Sequence, residues 1–233
     1  MKGTGKKPGS QGTIESRQRF LDCSHALLEA EGVEALSLRE VARRAGLTHQ
    51  APYHYFANKE ALLAELVASG FDELTKRLAA ALDGSRRSSR RTMVACAGRA
   101  YVHFALERPQ VFRLMFRKPL VDTRRFPETA AAGDRAYAEL RRMIELAHPG
   151  KNVDDYAGVH WAFVHGLASL VLDGNLVEHA GSLAMASRKS YADKLVRMFA
   201  QLVGSAPPKT SGGLPSHRSA QCPLGSGVQG GRG

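Results

Sequence analysis

Apolar residues recur every three to four positions from about residue 13 to about residue 203. This spacing gathers apolar side chains on one face of an α-helix. No stretch alternates apolar and polar residues between hairpin turn signals, as a half-buried β-strand does. The pattern therefore predicts an all-α fold of about nine helices.

Capping signals divide the first part of this pattern. A helix over about 13–31 is predicted to end at Gly32, a residue type that favours helix C-termini. Ser37 is followed three residues later by Glu40, which is the capping-box spacing at a helix N-terminus. We expect the helix that begins there to stop at Gly46.

The segment that follows is short and interrupted by proline. Thr48 is predicted to cap a helix through about Tyr55, because Pro52 is tolerated in a first helical turn. Asn58 then caps a longer predicted helix over about 59–81. Proline and glycine separate the later predicted helices, which cover about 88–107, 109–117, 127–147, 153–173 and 182–203.

The two ends of the chain have a different composition. Residues 1–12 are rich in Gly, Lys and Ser, and residues 204–233 are rich in Gly, Pro and Ser with few large apolar side chains. Such segments bury too little apolar surface to offset their chain entropy. We expect a disordered N-terminal arm and a disordered tail.

Several classes of protein are disfavoured by the sequence. No apolar run approaches the roughly 20 residues of a membrane span, and no apolar segment follows the basic N-terminus as in a signal peptide. We therefore expect a cytoplasmic protein with no membrane partner. Cys23, Cys96 and Cys222 are scattered, which argues against a disulfide framework or a zinc site. No nucleophile, phosphate-loop or metalloprotease motif is present, so we expect neither an enzyme nor a bound cofactor.

The net charge of +11 suggests a polyanionic partner. Residues 1–60 hold 9 Lys/Arg against 7 Asp/Glu, whereas residues 84–125 hold 11 against 2. The basic cluster thus lies in the middle of the chain: Arg86, Arg87, Arg90, Arg91, Arg113, Arg117, Lys118, Arg124 and Arg125. Three interpretations remain open, namely a solvated face, a general attraction to DNA and the selection of an anionic effector.

Two short helices joined through a glycine turn have the layout of a helix-turn-helix. Gly46 lies in the turn, and the second helix is short enough to enter a DNA major groove. His49 and Gln50 at its start are candidates for base contacts, because both side chains donate and accept hydrogen bonds. An ordinary turn between two helices would share this local pattern.

Residues 13–63 resemble the N-terminal domain of the tetracycline-repressor (TetR) family of bacterial transcription regulators. The matching residues are Gly32, Ser37, Leu38, Arg39, Val41, Ala42, Ala45, Gly46, Leu47, Tyr53, Tyr55, Phe56, Lys59, Glu60, Leu62 and Leu63. The resemblance implies a DNA-binding domain over 13–60 and a helical regulatory and dimerisation domain over 61–203. By the same resemblance, the residues expected to contact DNA are Ser37, Arg39, Thr48, His49, Gln50, Tyr53, His54 and Lys59.

The second half of the chain resembles a C-terminal domain type of this family that carries a tryptophan–histidine–glycine motif. The similarity lies in WAFVHGLASLVLDG at 161–174 and PQVFRLMF at 109–116. It implies a homodimer formed by the last two long helices, at about 153–173 and 182–203. The function implied is a ligand-responsive repressor that binds a palindromic double-stranded DNA operator. The alternative is an architectural protein that binds DNA independently of sequence, which the basic cluster favours.

A pocket for a small apolar or anionic effector is expected among the helices at 88–173. Its candidate lining residues are Tyr101, Phe104, Phe112, Met115, Phe116, Met143, Trp161 and His165. Aromatic and methionine side chains at helical spacing also form ordinary cores, so core packing is the competing interpretation for each. His160 and His165 are five residues apart and share no helix face, which argues against a metal site.

Overall fold

The structure is a computed structural model, and it describes residues 9–117, 120–178 and 185–204. Every regular element in these ranges is helical, and none is a strand. The α-helices are α1 (Gly9–Glu31), α2 (Leu38–Arg44), α3 (Lys59–Ser85), α4 (Arg90–Glu107), α5 (Pro109–Phe116), α6 (Pro127–Ala147), α7 (Val153–Leu172), α8 (Asn175–Glu178) and α9 (Met185–Val203). Short 3₁₀ turns lie at Val33–Ala35, Ala51–His54 and Thr123–Arg125. The all-α prediction is confirmed for the described residues.

The first three α-helices pack around one apolar cluster. Phe20 and Leu28 of α1, Val41 of α2 and Leu62 of α3 are fully buried in it. Phe56, just before α3, stacks on Phe20 with ring centroids 5.6 Å apart. The aromatic ring therefore fixes the segment between α2 and α3 to the core.

Helix α3 joins the two halves of the chain. It is continuous from Lys59 to Ser85 and so crosses the boundary predicted at residue 60. It also continues past Gly84, beyond the predicted end near residue 81, because Leu82 is fully buried and the buried Ser85 hydroxyl donates to the Ala81 carbonyl. Packing of the helix outweighs the low helix propensity of one glycine.

The C-terminal helices form a bundle on α3. Helix α6 runs parallel to α3, since the Thr129 hydroxyl donates to the Ala64 carbonyl and Arg142 pairs with Asp83 at the other end. Helix α4 is central and contacts α3, α7 and α9. At Gly98 the approach of α9 is so close that a Cβ atom would lie 2.9 Å from a Val196 methyl group, which favours glycine there.

The described ends of the chain differ in part from the predicted ones. Helix α1 begins at Gly9 rather than near residue 13, so residues 9–12 are helical and do not belong to a disordered arm. Gly204, the first residue of the predicted tail, donates its N–H to the Ala200 carbonyl, whereas residues 1–8 and 205–233 lie outside the described residues. The helix predicted over 182–203 is described only from Met185.

Candidate DNA-binding surface and effector cavity

The turn after α2 is built by its glycine. Gly46 has φ of 65°, a left-handed conformation that is favourable only for residues without a Cβ. Its N–H donates to the Arg43 carbonyl, and the Leu47 N–H donates to the Ala42 carbonyl. These two bonds form a Schellman motif, which ends α2 and sends the chain across it.

The start of α2 is capped as the sequence predicts. The Ser37 hydroxyl accepts a hydrogen bond from the Glu40 N–H at 3.1 Å. The Glu40 carboxylate is turned to Arg43 and Arg44 instead of completing the capping box. Its pKa is lowered to about 2 by those two hydrogen-bonded guanidinium groups.

The segment predicted as a short α-helix is a 3₁₀ turn over Ala51–His54, and the predicted Thr48 side-chain cap is wrong. In an α-helix capped by Thr48, the first intrahelical bond would run from residue 52 to the Thr48 carbonyl. Pro52 has no N–H, so the Thr48 carbonyl accepts from Ala51 at i+3 instead. The proline removes the bond that begins an α-helix here.

The exposed face of this 3₁₀ turn is polar. Thr48, His49, Gln50 and His54 are exposed, and Tyr53 is 50% exposed. None of these side chains makes a hydrogen bond or ion pair with the part of the chain that the structure describes. The opposite face holds the buried Pro52 and Phe56. Ser37 and Arg39, at the start of α2, are also exposed.

Lys59 differs from the other predicted contacts. Its side chain is half-buried, and Nζ donates to the Val33 carbonyl at 3.0 Å. This bond ties the first residue of α3 to the 3₁₀ turn Val33–Ala35. An ammonium group has three donors, so two N–H groups remain for other partners.

A cavity of about 980 Å³ lies between α3 and α6, with walls from α4, α5, α7 and α9. Five of the eight residues proposed from the sequence line it: Tyr101, Met115, Phe116, Met143 and Trp161. Burial raises the pKa of the Tyr101 hydroxyl. Residues that the sequence reasoning missed include Phe71, Leu74 and Leu78 of α3, which recur at the spacing of one helix face.

The other three proposed lining residues lie elsewhere. Phe104 is fully buried in the core, with the Arg77 guanidinium over its ring. Phe112 and His165 line a separate cavity of about 440 Å³ beside α5. The His165 Nδ1 lies 3.0 Å from the Tyr101 hydroxyl, so this pair separates the two spaces.

A pair of histidines, His148 and His160, lies at the end of the large cavity near Leu82 and Phe199. Nε2 of His148 and Nε2 of His160 are 3.3 Å apart, and the His160 Nδ1 lies 2.7 Å from the Tyr156 carbonyl. Burial lowers the pKa of both imidazoles, and their mutual repulsion lowers that of His148 further. Within the described residues, no group of three or more His, Cys, Asp or Glu side chains is arranged to hold a metal ion.

The basic cluster does not form one continuous face. Arg86 lies at the C-terminal end of α3, whereas Arg125 pairs with Glu60 at its N-terminal end. These ends are about 39 Å apart along the axis. Arg113 pairs with Asp173, and Lys118 lies outside the described residues. The sequence cluster therefore divides into two separate groups.

One interaction between α1 and α5 had no signal in the sequence. The Glu29 carboxylate of α1 accepts hydrogen bonds from the N–H groups of Gln110 and Val111. It thus caps α5 from about 80 residues away in sequence, beside a helix dipole that favours negative charge. Nearby, burial and then the charge of Arg108 lower the pKa of His25.

Helix α2, its glycine turn and the exposed 3₁₀ turn beyond it have the layout of a helix-turn-helix, which is the class of DNA-binding domain that this part of the fold indicates. Comparison with family models names the family. The model described as "Bacterial regulatory proteins, tetR family" matches residues 20–66, and "Tetracyclin repressor-like, C-terminal domain" matches residues 94–199. The chain belongs to the TetR family, whose members are transcription regulators rather than enzymes, bind DNA and typically act as dimers.

Similar proteins include transcription regulators from bacteria. The transcriptional repressor KstR of Mycolicibacterium smegmatis is 30% identical over 63% of this chain and 63% of its own length. The nicotine-responsive transcriptional repressor HdnoR of Paenarthrobacter nicotinovorans is 30% identical over 31% of this chain and 38% of its own length. The matched region thus spans less than two thirds of either relative.

Solved structures share the fold over a larger part of the chain. A Rhodococcus sp. RHA1 protein of unknown function is 27% identical, with a TM-score of 0.65, over 83% of this chain and 98% of its own. PfmR of Thermus thermophilus, a TetR-family regulator, is 19% identical with a TM-score of 0.57 over 79% and 96%. In the described part of the chain, no helix is both long and apolar enough to span a bilayer.

Proposed function

We propose that this protein is a ligand-responsive transcriptional repressor that binds a palindromic DNA operator as a homodimer. One observation carries the proposal. A run of polar side chains with no partner in the described part of the chain lies on a short turn that Pro52 and Phe56 fix from behind. Exposed donors and acceptors on a rigid support suit hydrogen bonding to base edges.

Each exposed residue has a proposed role. His49 and Gln50, at the start of the turn, contact base edges in the major groove. Tyr53 and His54 contact phosphates, which set the position on the duplex without reading its sequence. Thr48 lies beside them and is a further phosphate contact.

The start of α2 and of α3 complete the proposed surface. The hydroxyl of Ser37 and the guanidinium of Arg39 are exposed there and can contact the DNA backbone. Lys59 is the exception, because its ammonium already donates to Val33. We infer that it also donates one of its two remaining N–H groups to a phosphate.

The proposed dimer uses α7 and α9. Three small residues of α7 recur every four positions: Gly158 and Ala162 are exposed and Gly166 is half-buried, and nothing lies within 4 Å of a Cβ built at either glycine. Exposed Leu170 on α7 and Leu202 on α9 extend this surface. Small side chains allow two helices to approach closely, while large apolar ones are buried at their edges. We call residues 48–54 the recognition turn. Two-fold symmetry would then present two recognition turns to successive major grooves, about 34–36 Å apart.

The cavity of about 980 Å³ is the proposed effector site. Its size matches ordinary ligand pockets. An effector releases DNA only by the difference between its affinities for the DNA-binding and the released conformations.

Selection from a pool of random DNA duplexes tests the proposal. A repressor should enrich a two-fold symmetric sequence, and non-specific competitor DNA should displace it about 10³-fold less well than the selected duplex. On that duplex, Gln50→Ala should weaken binding by about 1–3 kcal/mol and relax preference at one base position of each half-site. Arg86→Gln, a change at the far end of α3, is the matched control. An architectural protein would enrich no sequence and lose binding equally to any competitor.

A further inference from the structure

The large cavity is elongated. Its lining residues on α3 (Glu60, Val67, Phe71, Leu74, Leu78 and Leu82) recur at spacings of three, four or seven residues, so they form one stripe along the helix. Glu60 and Leu82 are about 33 Å apart along the axis. Because α6 runs parallel to α3, the space between them is a channel along both helices.

The chemistry changes from one end of the channel to the other. Near the N-terminal end of α3 the walls include Glu60, Arg117, Asp122 and Arg124. At the opposite end Leu82, Val94, Met143 and Phe199 meet in an apolar cluster. A ligand that fills the channel therefore has a polar or charged end and a long apolar body.

Polar residues deep in the channel have their polar atoms engaged elsewhere. Both ring nitrogens of His160 lie within hydrogen-bond distance of His148 or Tyr156, so the carbon atoms of the ring remain for the channel. The Tyr101 hydroxyl lies 3.0 Å from His165, and the Glu139 carboxylate accepts from Arg142. An apolar chain would leave none of these groups without a partner.

Among the described cations at the polar end, Arg117 is the most available. Arg124 binds the Asp122 carboxylate with two hydrogen bonds of 2.9 Å, and Arg125 binds Glu60 at 2.6 Å. The Arg117 Nη1 lies 3.7 Å from the Glu34 carboxylate, beyond hydrogen-bond length, and its side chain is 56% exposed.

We propose that the channel binds a long-chain carboxylic acid, with its carboxylate at Arg117 and its hydrocarbon chain between α3 and α6. The apolar part of the channel, Val67 to Leu82, is about 22 Å long. An extended chain with carbon–carbon bonds of about 1.5 Å advances about 1.3 Å per carbon, so about 17 carbons fill this length. The further proposal that this ligand is the effector rests on the repressor function proposed above.

The position of the carboxylate also suggests how binding reaches the DNA-binding end. Glu34, the partner of Arg117, lies in the turn Val33–Ala35 that Lys59 holds through the Val33 carbonyl. A ligand carboxylate would compete with Glu34 for Arg117. Binding would then loosen one of the links between the channel and the start of α3.

Fluorescence of Trp161 measures binding directly, because it is the only tryptophan in the chain and it lines the channel. The probes are saturated carboxylic acids of about 10 to 20 carbons, kept below the concentration at which they aggregate, and primary alcohols of equal length. Affinity should rise about fourfold per added methylene group. It should level off near 17 carbons, where the chain reaches the end of the channel.

Two pairs of variants locate the chain and the carboxylate. Gly133→Leu fills the middle of the channel, where a Cβ would already meet the Phe71 ring at 3.7 Å, and should weaken long acids at least tenfold. Gly133→Ala adds only a methyl group at that ordinary contact distance and shows that the helix tolerates a side chain. Arg117→Gln should weaken acids about tenfold and leave alcohols unchanged. Arg86→Gln, at the far end of α3, should change neither.

The outcomes separate this inference from the proposed function. Affinity independent of chain length, or unaffected by Gly133→Leu, would overturn the long-chain ligand even if the protein binds a specific operator. Binding with the predicted length limit, in a protein whose operator complex the acid does not dissociate, would support the ligand and contradict its role as an effector. Equal weakening of acids and alcohols by Arg117→Gln would refute the placement of the carboxylate.

Discussion

We expect Phe56 to set the orientation of the proposed recognition turn, residues 48–54. Its ring is 4% exposed, stacks on the fully buried Phe20 and lies 5.5 Å from the Arg17 guanidinium carbon. Truncation by Phe56→Ala should cost about 3–5 kcal/mol through lost burial and a residual cavity. Phe56→Leu keeps most of the apolar volume and should cost about 1 kcal/mol, mainly from the lost aromatic pair.

Urea unfolding followed by circular dichroism measures these values, at one fixed protein concentration because the proposed dimerisation would contribute to apparent stability. The matched comparison is Tyr53→Ala on the exposed face, which should change stability by less than about 0.5 kcal/mol and yet weaken DNA binding. Phe56→Ala should weaken binding to every DNA sequence alike. A cost below about 1 kcal/mol for Phe56→Ala would refute the view that this ring anchors the turn.

Four further changes test other parts of the structure. Ser37→Ala should destabilise the protein by about 1 kcal/mol in urea unfolding through loss of the α2 cap, whereas Ser37→Asp should not. Lys59→Met should lower the slope of log affinity for DNA against log salt concentration by about one ion per half-site. An unchanged slope would show that Lys59 contacts no phosphate and bonds only to the Val33 carbonyl. Gly166→Leu should convert a dimer to monomers in sedimentation without loss of helix content. Because burial lowers the pKa values of His148 and His160 below 6.5, the unfolded chain binds protons first, so the melting temperature should fall as the pH falls below about 6.5 and be flat above it.

Much of the helical layout was predictable because proline, glycine and capping residues act locally. The helix predicted over 127–147 is α6 with the same bounds, since Pro127 begins it and Pro149 with Gly150 follows its end. Gly84 shows the limit of such signals. There Leu82 is buried against other helices, which favours continuation of the helix, and that contact is not local.

The DNA-binding surface was easier to predict from the sequence than the lining of the channel. The family resemblance pointed to the exposed positions of the recognition turn. Its 3₁₀ geometry follows from Pro52, because the N–H that proline lacks is the one that would form the first bond of an α-helix there. Channel residues were harder to predict, because aromatic and methionine side chains look alike in the sequence whether they line a cavity or fill a core. Phe104 and Trp161 both lie among apolar residues of predicted helices, yet Phe104 is fully buried in the core and Trp161 lines the channel.

Helix α3 gives the two proposed activities a shared mechanical element. Leu62 and Leu66 are fully buried in the core that supports the recognition turn, while Phe71 and Leu78 form the channel wall on the same continuous helix. A packed helix moves as a unit, so a ligand that displaces the channel part of α3 must also displace its first turns. Moving a dimer from 99% DNA-competent to 1% needs a ligand that prefers the released state about 10⁴-fold. A dimer has two channels, so each bound ligand needs to prefer the released state only about 100-fold. A long apolar chain supplies this preference if a few of its methylene groups are buried in the released state and exposed in the DNA-binding state.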